Sequence, residues 1–243
     1  MNHIAPPSTE PCVWMAAGLV NYKLCDRDFD CTRCPLDLAL RGGRSESVEG
    51  GVPAGYVRRG EGFPNDRRYA AGHTWVAAGC RPGEPTVRIG LDGFAAALLP
   101  RPVSARSVGG PRALRRGDVI CDIELPEGTL SVRAPVGGHL ERENPALRER
   151  PGLIVESPYH DGWLVDLIPS QADMALGGLL DAAAARERTA LHLRRFRRRI
   201  ALDLLADASP VGPCMADGGE ALTSLSEILG GARYLKILRE VLR

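Results

Sequence analysis

The sequence predicts an α+β chain: an antiparallel β-sandwich preceded by a small Cys-rich segment and followed by a helical extension. Three observations carry this. Two runs of period-2 alternation flank Pro126-Glu127-Gly128, and the period turns helical beyond Ser170. Four of the seven cysteines (Cys12, Cys25, Cys31, Cys34) lie near the N-terminus.

The β pattern runs from about Tyr69 to Pro169. Thr74–Ala78 reads as a short strand, and Arg81-Pro82-Gly83-Glu84-Pro85 has turn chemistry. Thr86–Leu91 returns with Val87, Ile89 and Leu91 on one face. Val119, Cys121, Ile123 and Leu125 alternate with Ile120, Asp122 and Glu124. Leu130, Val132, Ala134 and Val136 alternate with Thr129, Ser131 and Arg133, so the two runs make a hairpin.

In the extension, Leu193, Phe196, Ile200 and Leu204 recur at three- and four-residue steps along one stripe. Cys214–Glu220 reads as a loop, and Ser224-x-x-Glu227 as a capping box. Gly230-Gly231 breaks that helix before a last amphipathic one using Leu235, Leu238 and Leu242. The expected organisation is a Cys-rich segment over 1–45, a linker over 46–68, the sandwich over 69–170 and the extension over 171–243.

Net charge is +1, with 44% apolar and 25% charged residues over 243 positions. Such a balance gives no global signal for nucleic acid, membrane or acidic substrates. The apolar run from Val13 to Val20 is shorter than the roughly 20 residues a bilayer span needs, and it lacks the basic start of a secretory signal. A cytoplasmic setting is expected, in which clustered cysteines stay reduced and bind metal more often than they form disulfides.

Several motifs in the β segment resemble the glycine cleavage H protein. They are His73-Thr74-Trp75-Val76, Ile89-Gly90-Leu91-Asp92, Ala134-Pro135-Val136-Gly137-Gly138, and Asn144-Pro145-Ala146-Leu147 through Pro151 to Glu156-Ser157-Pro158-Tyr159-His160-Asp161-Gly162-Trp163-Leu164. They occur in the family's order over about 100 residues, less than half the chain. The resemblance implies a sandwich, or hammerhead, of the biotinyl/lipoyl class. It also implies a hairpin-tip lysine that carries lipoate between partner enzymes.

That lysine is missing. Glu124-Leu125-Pro126-Glu127-Gly128 occupies the lipoylation motif, and Glu127 stands at the lysine position. A carboxylate cannot form the lipoyl amide, and the only lysines are Lys23 and Lys236. No lipoate is therefore expected, and biotinylation of this domain is excluded. Trp75 and Trp163 are read as core, and Gly90, Gly128, Gly138 and Gly162 as turn or close-packing positions. His73, His139 and His160 stand apart from any ligand spacing and are read as structural.

The cysteine spacing is C-x12-C-x5-C-x2-C. A C-x2-C pair aims two thiolates at one ion, and four complete a tetrahedral site. Zinc or an iron–sulfur cluster on Cys12, Cys25, Cys31 and Cys34 is the expectation; a thiol redox pair and plain structural cysteines are the alternatives. Asp26, Asp28 and Asp30 between the ligands would raise a nearby thiol's pKa, whereas Lys23 and Arg33 would lower it.

His192-Leu193-Arg194-Arg195-Phe196-Arg197-Arg198-Arg199 is a dense basic run. It reads as the solvated face of an amphipathic helix in preference to a nucleic-acid contact. No phosphate-loop, dinucleotide, nucleophile-elbow or zinc-protease motif is present, and no catalytic residue is assigned. The sequence thus points to a non-enzymatic adaptor that binds a protein partner, descended from a lipoyl carrier and no longer lipoylated. A working carrier of glycine cleavage and an iron–sulfur electron-transfer protein are the alternatives.

Overall fold

A computed structural model describes residues 10–17, 19–40, 62–78, 85–107, 109–206, 226 and 229–242. The turn expected at 81–85 (all but Pro85), the loop at 214–220 and the capping box at 224–227 (all but Ser226) lie outside these residues, as do Cys80 and Cys214.

Nine strands form two antiparallel sheets among the described residues. They are β1 (Arg67–Tyr69), β2 (Thr74–Ala78), β3 (Val87–Leu91), β4 (Ser104–Ser107), β5 (Arg112–Leu114), β6 (Val119–Leu125), β7 (Gly128–Arg133), β8 (Gly138–Glu143) and β9 (Val165–Pro169). One sheet has the order β1-β2-β3-β9-β8-β5, the other β4-β6-β7. β1 begins inside the stretch read as linker, and Phe63 ahead of it is already buried.

The β6–β7 hairpin forms with Leu125 paired to Gly128 across Pro126-Glu127. Strict alternation fails at its base. The register shifts between Val119 and Cys121, and this irregularity buries Ile120 beside Cys121, although the alternation puts Ile120 on the outer face. Val87, Ile89 and Leu91 all face the core as expected.

Short helices α1 (Val13–Ala16) and α2 (Pro35–Leu40) precede the strands, and α3 (Gly93–Leu98), α4 (Ala146–Glu149) and α5 (Leu153–Glu156) link them. Two longer ones follow, α6 (Ala182–Ala206) and α7 (Gly231–Val241). Asp92 caps α3 by accepting from Ala95 N–H at 2.9 Å. Asn144, only 5% exposed, donates to the carbonyls of Asp161 and Trp163 and accepts from Ala146 N–H. One amide side chain thereby ties together the two ends of the long motif.

The helical extension is not a separate body. Leu193, Phe196 and Ile200 of α6 and Tyr234, Leu235, Ile237 and Leu238 of α7 share one apolar core with both sheets. A smaller cluster gathers Phe63, Tyr69, Trp75, Tyr159 and Trp163 with Ala182 and Ala185 of α6. The sandwich itself thus covers the apolar stripe. Among the described residues, no helix is long and apolar enough to cross a membrane.

Candidate functional site

Among the described residues, three places hold chemistry-bearing side chains: the hairpin tip, the Cys segment, and a histidine pair in which His73 is buried.

At the tip, Gly128 takes φ +131°, a conformation that L side chains rarely adopt, and this lets β7 start directly after the turn. The tip is covered. α7 begins at Gly231, where an added Cβ would lie 2.4 Å from Glu127 Cγ. Leu235 packs over Gly128, where an added Cβ would stand 2.9 Å from Leu235 Cδ2. Arg239 donates to the Thr129 carbonyl at 2.6 Å, and the Tyr234 hydroxyl donates to the Leu98 carbonyl at 2.6 Å. Glu127 Oε2 is buried without a hydrogen-bond partner. It sits by the first residue of α7, the helix end whose partial positive charge favours an anion. In the sequence the Gly230-Gly231 pair reads only as a helix break. It also makes the room in which Glu127 lies.

The Cys segment is folded around its thiols. Cys12 N–H donates to the Lys23 carbonyl at 2.8 Å and Cys25 N–H to the Glu10 carbonyl at 2.8 Å, which sets Cys12 and Cys25 on adjacent extended segments. A 3-10 turn over Cys31–Arg33 carries the C-x2-C pair. Phe29, held at φ +58°, donates its N–H to Cys25 Sγ at 3.2 Å. All four cysteines line one small cavity of about 10 Å³, and Cys12, Cys25 and Cys31 are buried. As they stand, no three His, Cys, Asp or Glu side chains among the described residues are placed to hold a metal ion.

Burial pushes the Cys31 thiol up to about 11, with Arg197 pulling the other way and Asp37, Cys25 and Cys12 adding to the rise. The acid and base that act there are thus not those expected from sequence neighbourhood. Lys23 pairs with Asp26 at 3.3 Å, and Asp30 is engaged by Thr32 and by Arg194. Asp37, 3% exposed, accepts from Trp14 Nε1 at 2.9 Å.

The basic run is solvated in part, with Arg195 and Arg198 exposed, but it also meets acidic partners. Arg194 pairs with Asp30 at 3.1 Å, Arg198 with Glu10, and Arg199 with Asp203 and Glu240. Ala201 is buried against Cys25 and Phe29. One face of α6 packs on the sandwich while its basic side receives the acidic Cys segment.

His73 is not isolated. Its Nδ1 lies 2.8 Å from Asp92 Oδ2 and its Nε2 lies 2.6 Å from His192 Nδ1. With Asp92 ionised, His73 donates from Nδ1, which leaves Nε2 to accept from His192 when both rings are neutral. Both ring nitrogens of His73 are therefore used inside the protein. Burial, then the neighbouring His73, lowers the pKa of His192 to about 4. The separation of 119 residues between the two histidines leaves no local sequence signal for this pairing. The pair links α6 to the strand that carries the His-x-Trp-Val motif. Cys121 is a core residue, 3% exposed, with its thiol pushed up to about 12 by burial.

A profile of the family described as glycine cleavage H-protein matches residues 67–191. The glycine cleavage system H protein of Mycolicibacterium smegmatis is 34% identical over 126 residues, which cover 51% of this chain and 94% of that protein. The one from Mycobacterium tuberculosis (strain ATCC 25177 / H37Ra) is 31% identical over 129 residues, with the same shares. The crystal structure of a glycine cleavage system H protein from Mycobacterium marinum covers 51% of this chain and 97% of that one at 28% identity, with a TM-score of 0.45. The chain belongs to the glycine cleavage H-protein family, which places it among carrier-type proteins and not among catalysts.

Proposed function

We propose that this chain is a non-lipoylated member of its family that serves as a cytoplasmic adaptor for a protein partner. Glu127 carries the reading. A carboxylate stands where the family has its modified lysine, and it is tucked against α7 instead of projecting from the hairpin. A swinging arm needs a free tip and an amine, and this tip has neither. Docking needs only the sandwich surface that α6 and α7 leave uncovered, so it survives the loss of the arm. The test is intact mass after co-expression with a lipoate ligase. The bare chain mass is expected, and a lipoyl increment on residues 67–169 overturns the reading.

We propose further that Cys12, Cys25, Cys31 and Cys34 hold one metal centre. Their sharing of one cavity supports this. Elemental analysis of anaerobically purified protein should give zinc or iron near one centre per chain. Serine at both Cys31 and Cys34 should abolish it, and metal that survives the double change refutes this ligand set.

A further inference from the structure

Helix α6 packs a basic side against the Cys segment. Arg197 lies in the middle of the basic run, and its Nη2 is buried with no hydrogen-bond partner. Its neighbours on the helix are spoken for: Arg194 by Asp30, Arg198 by Glu10 and Arg199 by Asp203. One turn further on, Ala201 touches Cys25 and Phe29. A buried guanidinium N–H without an acceptor is rare in a folded protein and calls for an explanation. Arg197 stands one turn before Ala201, on the side of α6 that meets Cys25 and Phe29. The basic residues that line the cavity, Lys23 and Arg27, do not fill that role, because Lys23 is drawn to Asp26 and Arg27 is exposed.

We infer that Arg197 is the built-in counter-cation of a single zinc ion bound by Cys12, Cys25, Cys31 and Cys34. This inference rests on the metal reading of those cysteines given above. Four thiolates around a divalent ion leave a net charge of two minus, and a centre of that charge inside a protein needs a compensating group. Loading is a simple exchange. Four S–H bonds give way to four S–Zn bonds, four protons leave to solvent, and nothing is oxidised or reduced. One ion needs only the four thiolates that already line the cavity, whereas a cluster must also bring its own irons and sulfides. Without an ion, nothing draws the neutral thiols together, so the side chains must rotate inward when it binds. As sulfur becomes negative, Arg197 gains the acceptor it now lacks. Zinc thereby fastens the N-terminal segment to α6, and through α6 to the sandwich.

The experiment uses the full chain. Zinc content is measured by elemental analysis, and affinity by competition with a chromophoric chelator, for the wild type, Arg197→Met, Arg197→Lys and Arg198→Met. The wild type should hold one zinc. Arg197→Met should bind it about tenfold or more weakly, the scale of one charge-assisted hydrogen bond. Arg197→Lys should fall between, and Arg198→Met should match the wild type. Hydrogen exchange on the wild type gives an arm independent of the variants: zinc should slow residues 10–40 and 193–201 together. Equal affinity in Arg197→Met overturns the assignment, and so does protection confined to 10–40 should that variant fail to fold. Several irons with matching sulfide overturn the single-ion centre while leaving the cysteine ligands standing. A wild type that takes up no metal removes the metal reading itself, and this inference with it.

Discussion

Glu127 rests on Gly231: a Cβ built on that glycine would come 2.4 Å from Glu127 Cγ and 3.2 Å from Glu127 Cβ. The contact joins the hairpin tip to the first turn of the last helix, far along the chain. It explains two oddities at once, a glycine at the start of an amphipathic helix and a carboxylate at the end of a hairpin.

Gly231→Ala should therefore destabilise the fold despite alanine's better helix propensity. Overpacking of this kind costs about 1–3 kcal/mol, and for a chain of this size each kcal/mol shifts Tm by about 2–4 °C. In a Glu127→Gly background both clash partners, Cγ and Cβ, are gone and the propensity gain remains. The same glycine change should then be neutral or stabilising, and thermal melts of the four-member cycle read the difference. An equal effect in both backgrounds would mean that the two residues do not touch.

Acid should loosen α6. His192 has its pKa lowered to about 4 from an ordinary value of 6.5, so between these values the unfolded chain binds the proton and the folded chain does not. Stability contributed here is complete above pH 6.5, is lost progressively as pH falls toward 4, and falls no further below that. His73, Asp92, Arg188 and Arg195 are the charged or titratable groups that act on His192, and Asp92 partly offsets the others. His192→Gln removes the titration, so its melting temperature should fall less than the wild type's over that window. Parallel curves would place the acid sensitivity elsewhere.

The ion pairs between α6 and the Cys segment make a separate prediction. Arg194 contacts Asp30 at 3.1 Å and is about one-third exposed, so Arg194→Ala should change global stability little. It should nonetheless raise the rate at which a protease cuts within residues 10–40, since local opening is governed by local contacts. Limited proteolysis followed by mass spectrometry reports both. Unchanged cutting would show that apolar contacts around Phe29 and Ala201 hold the segment without help.

Much of the sandwich was legible because its strands repeat with period two and its turns use proline and glycine. The same holds for the stripe of α6, where Leu193, Phe196 and Ile200 do face the core. What periodicity cannot supply is the partner across space. His73 looks isolated in the sequence because Asp92 is 19 residues away and His192 is 119. The basic run looks solvated because its acidic partners, Glu10 and Asp30, lie in a segment that no local pattern connects to it. Cys12, Cys25, Cys31 and Cys34 stand out by spacing alone. Spacing offers no hint of Arg197, whose relation to Cys31 depends on how α6 crosses the segment.

Asn144 tests the carry-over of family motifs into physical terms. It is 5% exposed and makes three hydrogen bonds, to the carbonyls of Asp161 and Trp163 and from Ala146 N–H. Alanine there leaves two carbonyls and one N–H without their side-chain partner, at about 1 kcal/mol each and more where water cannot enter. Asn144→Ala should cost about 3 kcal/mol in chemical denaturation. Asn144→Asp should do no better, because a carboxylate cannot donate to either carbonyl. A loss under about 1 kcal/mol, the scale of a single bond, would show that the loop reorganises around the gap.

Putting the lysine back should not rebuild a carrier. A lipoate ligase must reach the amine at residue 127, but α7 lies over that tip: Leu235 packs on Gly128, and Arg239 bonds the Thr129 carbonyl. Leu235 is 5% exposed and Leu238 fully buried, so lifting the helix means exposing both. Burying a leucine side chain is worth about 1.5–3 kcal/mol. Two of them would keep the open form below about 1% at equilibrium. Glu127→Lys in the full chain should accordingly be lipoylated slowly or not at all under conditions that label an ordinary family member completely. Adding Leu235→Asp puts a charge in the apolar contact and should raise labelling at position 127 sharply, while circular dichroism checks that the sandwich is intact. Rapid, complete lipoylation of the single variant would mean that α7 does not guard the tip. The missing lysine alone would then separate this chain from its carrier relatives.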